Sequence, residues 1–123
     1  MNIVTWVIQG LLSVGMLLPG LMKTMMPYEE LVSDPNMGWA GDFSPMQIMI
    51  IGALEILGVI GLNLPFLLKK YKKVVPIASA GLALTMIGAI VTHVGRGENP
   101  GPVFVLLAFA IFVTYARKDL LKS

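Results

Sequence analysis

Three stretches of this chain, Ile3 to Met22, Met46 to Leu68 and Val74 to Val94, run for 20, 23 and 21 residues with one acid among them, Glu55. At about 1.5 Å of rise per residue, each is long enough to cross a ~30 Å hydrocarbon layer as a helix. A fourth apolar stretch, Val103 to Ala116, is shorter and needs the Arg117–Leu121 turn to complete a crossing. A mean hydropathy of +0.81, with 56% hydrophobic and 13% charged residues, lies outside the range of soluble domains. The first stretch lacks a basic leader region and an A-x-A-like cleavage site, so it is expected to be a retained helix rather than a signal peptide.

The basic residues set the expected threading. Lys69, Lys70, Lys72 and Lys73 crowd the second connection, and Arg117, Lys118 and Lys122 follow the fourth stretch. Four crossings place all seven on one side, which the positive-inside rule makes cytoplasmic, whereas three crossings would split them. The expected fold is therefore all-α: an integral membrane four-helix bundle, one domain over residues 1–123. Its helices fall at about 3–23, 46–68, 74–94 and 103–118, and both termini are cytoplasmic. The expected location is the bacterial inner membrane, with the chain multi-pass in the lipid bilayer.

Between the first two spans, Pro27 is placed to open a short helix through Tyr28–Val32, which Asp34-Pro35 closes. Trp39 and Phe43 are expected as interfacial anchors. The Asn99-Pro100-Gly101-Pro102 turn stops one helix and starts the next. Gly52, Gly58 and Gly61 on one span, and Gly81, Thr85, Gly88 and Thr92 on another, recur at helical spacing and are expected to let helices pack closely. More small-residue surface is present than one bundle needs, so a homo-oligomer is expected.

Other functional classes fall away. Nine Lys and Arg against seven acids, without interleaved aromatics, are no footprint for nucleic acid. The chain has no Cys and one His, so it offers no thiol relay, iron–sulfur ligation or metal site of its own. No nucleotide-binding loop or nucleophile–base pair is legible, which leaves enzymatic activity open.

The polar residues within the spans carry the functional signal. Gln9, Ser13, Met16, Gly20 and Lys23 share one face of the first helix, by steps of four and three. Glu55 stands near mid-membrane with seven apolar or Gly residues on either side, where an acid is costly and usually has a partner. His93 closes the third span, so Lys23 and His93 converge on one half of the bundle with Glu55 below them. Replacing Glu55 by Leu is expected to leave stability unchanged or improved, as trading a buried polar network for apolar packing can do.

The segments GMLLPGLMK (15–23), GALEILGVIGLNLP (52–65) and LALTMIGAIVTH (82–93), with the Pro-bearing turn before the last helix, resemble the DoxX-like family of small four-helix bacterial membrane proteins. The resemblance implies that the family's recurrent polar positions fall on Lys23, Glu55 and His93. It also implies an accessory or quinone-interacting role beside the subunits of a membrane oxidoreductase system, with quinone the candidate cofactor and none covalently bound. The alternative is a non-catalytic assembly factor that docks partner transmembrane helices or a lipophilic small molecule. Certain methylamine-utilisation relatives carry cysteines that this chain lacks, so the resemblance does not extend to thiol exchange.

Overall fold

A computed structural model describes residues 3–122, leaving aside the side chain of Asn36. The described residues are helical almost throughout: α1 (Ile3–Met25), α2 (Tyr28–Ser33), α3 (Pro45–Leu68), α4 (Val74–Gly95) and α5 (Gly101–Ala116), with 3-10 turns over Pro35–Asp42 and Lys118–Lys122. α1, α3 and α4 are long and apolar enough to cross a membrane, and α5 is a shorter apolar helix of 16 residues.

Side-chain pairing shows the order of the four long helices. α1 packs antiparallel on α3, because Lys23 meets Glu55 while Gln9 meets Leu62. α4 packs antiparallel on α3 through Leu82 against Gly58 and Ala78 against Gly61. α5 then closes a ring, joined to α4 by the Ser79 and Thr114 hydroxyls at 2.7 Å and to α1 through Leu106 against Gly15. The central core is Leu12 and Met16, Val59 and Leu62, Val75, Leu82 and Met86, and Ala110 and Val113, drawn from all four helices. Outward-facing Val7, Leu11, Val14 and Leu18 are each more than half exposed, so α1 turns a continuous apolar stripe away from the core. A soluble protein would not leave such a stripe in water, whereas lipid accepts it.

Local chemistry explains the helix limits. Ser44 caps α3 in a reciprocal box: the Gln47 amide donates to Ser44 Oγ at 3.1 Å and the Ser44 amide to Gln47 Oε1 at 2.9 Å. α3 ends at Lys69 in the left-handed region (φ 58°), and Tyr71 repeats that conformation (φ 62°), so the lysine-rich connection turns sharply. The segment between α1 and α3 folds into a cap with its own small core of Leu31, Met37, Ala40 and Ile48. Tyr28 pins it by donating its hydroxyl to the Phe43 carbonyl at 2.6 Å. The bundle thus has a capped end and an opposite, basic end.

Trp39 and Phe43 are half-buried and pack against the cap's core and against each other. The expectation for the glycines is revised. The glycines divide: a Cβ on Gly52 would meet Lys23 Cβ at 2.7 Å and the Gly20 carbonyl at 2.9 Å, and one on Gly58 would meet Leu82 at 2.6 Å. Gly81 and Gly88, by contrast, have nothing within 4 Å of that position, so their face packs on no helix. Instead Thr85 and Thr92 return their hydroxyls to the carbonyls of Gly81 and Gly88. Arg117, one of the basic residues that set the expected threading, is fully buried.

Candidate functional site

The inward face of α1 ends at Lys23, and the antiparallel register places Glu55, ten residues and about 15 Å into α3, directly opposite. Gly20 and Gly52 let the two backbones approach beside this pair, since a Cβ at Gly52 would collide with the other helix and one at Gly20 would sit tightly against Ile56 and the Gly52 carbonyl, at 3.0 and 3.2 Å. Lys23 Nζ lies 2.5 Å from Glu55 Oε1, and both side chains are nearly sealed, at 7% and 1% exposure. The opposite charges of the ammonium and carboxylate sum to zero and the hydrogen bond holds them together, which answers the cost of an acid in lipid.

His93 does not reach Glu55. Its Nδ1 donates to Glu98 Oε1 at 2.9 Å, and its ring sits edge-on to Trp39 at 5.9 Å. Trp39 links the groups, because Lys23 Nζ also lies over its ring, 5.2 Å from the centroid. Beyond His93, Arg96 bonds Asp42 of the cap at 2.8 Å and approaches Glu98 at 3.3 Å. A chain of polar contacts therefore ties the end of α4 to the cap. In this surface group the hydrogen bond from His93 holds the Glu98 carboxyl below the ordinary carboxylate range, partial burial opposing and Arg96 adding to it.

Under the cap lies a cavity of about 500 Å³. Met16, Ile51, Leu54, Met86, Val103 and Leu106 give it an apolar wall, while Lys23, Glu55, Thr85, Thr92 and His93 supply polar points. All three residues singled out in the sequence thus border one space, though only two of them touch. Gly88 lines it too, and the missing side chain there leaves room in the cavity. Leu54 is 56% exposed, so the cavity reaches the lipid-facing surface between α3 and α4. A volume of this order fits a small organic molecule held by apolar contact and oriented by a few polar groups. Among the described residues no group of His, Cys, Asp and Glu could hold a metal ion.

Sequence reasoning missed a second polar cluster at the basic end. Gln9 donates its amide to the Leu62 carbonyl (3.1 Å) and Asn63 Oδ1 (3.0 Å), and its Oε1 accepts from Arg117 Nε at 3.0 Å. Asn63 in turn donates to Ser13 Oγ at 2.8 Å. The Arg117 guanidinium is flanked by the rings of Trp6 and Phe66, at 4.5 and 4.7 Å. The inward placement of Gln9 and Ser13 was the available signal.

An all-helical ring of four, three of whose helices can span a membrane, with polar side chains turned inward, defines a small multi-pass membrane protein. The sequence profile of the DoxX-like family matches residues 7–115, and the chain belongs to that family. Comparison with curated proteins and with solved structures finds no match.

Proposed function

We propose that this protein binds a lipophilic small molecule with a hydrogen-bonding head in the cavity under the cap, and that it serves as an accessory subunit of a membrane oxidoreductase system with quinone as the ligand. The observation that carries the reading is the cavity itself: an apolar wall open toward lipid, with the Lys23–Glu55 pair and His93 on its polar side. Lys23 can donate to a carbonyl and Glu55 can accept from a hydroxyl, so the pair suits a head group that changes between the two. The protein supplies binding and orientation, and the redox change belongs to the ligand and its partner subunits.

The test is titration of the detergent-purified protein with a short-chain ubiquinone analogue, read by quenching of Trp39 fluorescence in a Trp6→Phe background. Saturable quenching is expected, lost in Gly88→Leu, which fills the cavity, and weakened in Glu55→Gln. Quenching that survives Gly88→Leu would place the ligand elsewhere.

The second reading, a factor that docks a partner's transmembrane helix, draws on the exposed Gly81 and Gly88 face of α4, which packs on no helix of this chain. Recovery of a membrane protein partner that Gly81→Leu releases while quinone titration stays flat would favour it. For the threading, the proposal is a bacterial inner membrane with both termini and the Lys69–Lys73 connection cytoplasmic. Impermeant thiol reagent should label Asn99→Cys in intact cells and miss Tyr71→Cys, and the reverse pattern would overturn the orientation.

A further inference from the structure

Arg117 is wholly enclosed, and only one of its three guanidinium nitrogens is satisfied: Nε bonds Gln9, while neither Nη has a hydrogen-bond partner among the described residues. No carboxylate among them pairs with it, unlike Lys23 with Glu55. The rings of Trp6 and Phe66 attract the cation through their faces, yet the Nη hydrogens point in the guanidinium plane and still require acceptors. A buried cation without a counter-ion is a state that proteins in lipid avoid, so the missing acceptor should come from outside the described residues.

The surroundings indicate its charge. One helical turn beyond Phe66 begins the Lys69–Lys73 connection, and Lys118 and Lys122 follow Arg117. Asp119 is the one acid against these seven basic residues. The left-handed backbone at Lys69 and Tyr71 folds the connection back on itself and keeps its four lysines together at the helix ends. Two free Nη groups on one guanidinium form the fork that takes two oxygens of a phosphate, and surrounding lysines attract the same ion as point charges.

We propose that the basic end of the bundle binds a phosphate-bearing anion, with the Arg117 fork as its deep ligand and the Lys69–Lys73 connection as its rim. Trp6, 41% exposed, forms the wall nearest the surface, and a shift of its indole would uncover the Nη groups. The chemistry is shared by an anionic phospholipid headgroup and by free phosphate. The site is separate from the cavity under the cap and stands whether or not that cavity binds quinone.

Native mass spectrometry of the full chain in mild detergent tests it, with phosphatidylglycerol, phosphatidylcholine and inorganic phosphate as probes. Phosphatidylglycerol should be retained about tenfold more tightly than phosphatidylcholine, given the number of cationic groups at the rim. Arg117→Gln should remove most of that preference. Arg117→Lys, which keeps the charge and loses the fork, should weaken binding severalfold, and it decides the matter if Arg117→Gln does not fold. Arg117-dependent binding of inorganic phosphate, with none of phosphatidylglycerol, would confirm the site and make the free ion its ligand. Equal retention of the two lipids without phosphate binding, or undiminished anion binding in Arg117→Lys, would overturn the proposal and leave Arg117 held by Gln9, the two rings and water.

Discussion

The two polar clusters of this bundle resolve the same physical problem in opposite ways. At the capped end, Lys23 and Glu55 cancel each other's charge and border an open cavity. At the basic end, Gln9, Asn63 and Ser13 satisfy one another through a continuous set of hydrogen bonds around Arg117, whose charge has no partner in the described chain. The neutral cluster borders an open cavity, whereas the guanidinium of the charged one is enclosed by side chains. A membrane bundle can leave space next to a pair whose fields cancel at short range, whereas an uncancelled charge must be wrapped by dipoles and rings.

The sharpest way to break this comparison is to charge the neutral cluster. Glu55→Leu leaves the Lys23 ammonium buried without its partner, and should lower unfolding stability in detergent by roughly 3 kcal/mol or more. The pairing thus argues against the sequence-based expectation that this substitution leaves stability unchanged or improved. The double variant Lys23→Met/Glu55→Leu should recover to within about 1 kcal/mol of wild type, because both charges then leave together. Additive losses in a double-mutant cycle would show that the pair does not act as a unit.

Close packing beside the pair gives the next largest effect. Gly52→Ala should cost about 1–3 kcal/mol, since its Cβ meets backbone and the root of Lys23, neither of which can move aside cheaply. Gly81→Ala should be neutral or stabilising by up to about 1 kcal/mol, the helix gaining propensity at no steric cost. Equal losses at the two sites, measured by thermal unfolding, would remove the distinction between a packing glycine and an unpacked one. In the basic cluster, Gln9→Leu strands the Arg117 Nε and the Asn63 Oδ1, and a loss of about 1–3 kcal/mol is expected. Little change would mean that the aromatic rings alone hold the guanidinium.

The smallest effect concerns the tie between α4 and the cap. Glu98 titrates below its unfolded value, so its contribution is complete above the ordinary carboxylate range and is lost as the pH falls through its lowered folded value. Acid should therefore loosen the cap through Glu98 as the pH falls from the ordinary carboxylate value through the lowered one, with no contribution from this group to changes between pH 6 and 8. Glu98→Gln should flatten the acid limb of a thermal stability profile, and an unchanged limb would assign it to other carboxylates.

Much of the architecture is legible one residue at a time. The stripe Gln9, Ser13, Met16, Gly20 and Lys23 follows helical steps and lies inward, because lipid offers a polar side chain no partner. The short helix at Tyr28–Ser33 and the stop at Asp34-Pro35 follow from turn chemistry that acts locally. The Ser44–Gln47 box, an N-cap hydroxyl three residues from an amide, emerged only with the structure. Arg117 was not legible as buried: a basic residue just past an apolar run has the same local pattern whether it faces water or tucks beneath Trp6 and Phe66.

From its own order of residues, the chain determines three helices long and apolar enough to span a membrane and a shorter apolar one, the polar face of α1 and the presence of an acid in the middle of an apolar run, since hydrophobic periodicity and turn propensity are short-range properties. Tertiary structure alone decided that Glu55 meets Lys23 while His93 turns to Glu98, that Gly52 is a point of contact while Gly88 borders a cavity, and that Arg117 is enclosed. Periodicity assigns a residue to a face, but not the depth and rotation at which that face meets a neighbouring helix. Those are set by which side chains interlock across the bundle, and one-residue shifts of about 1.5 Å and 100° would exchange every one of these partners.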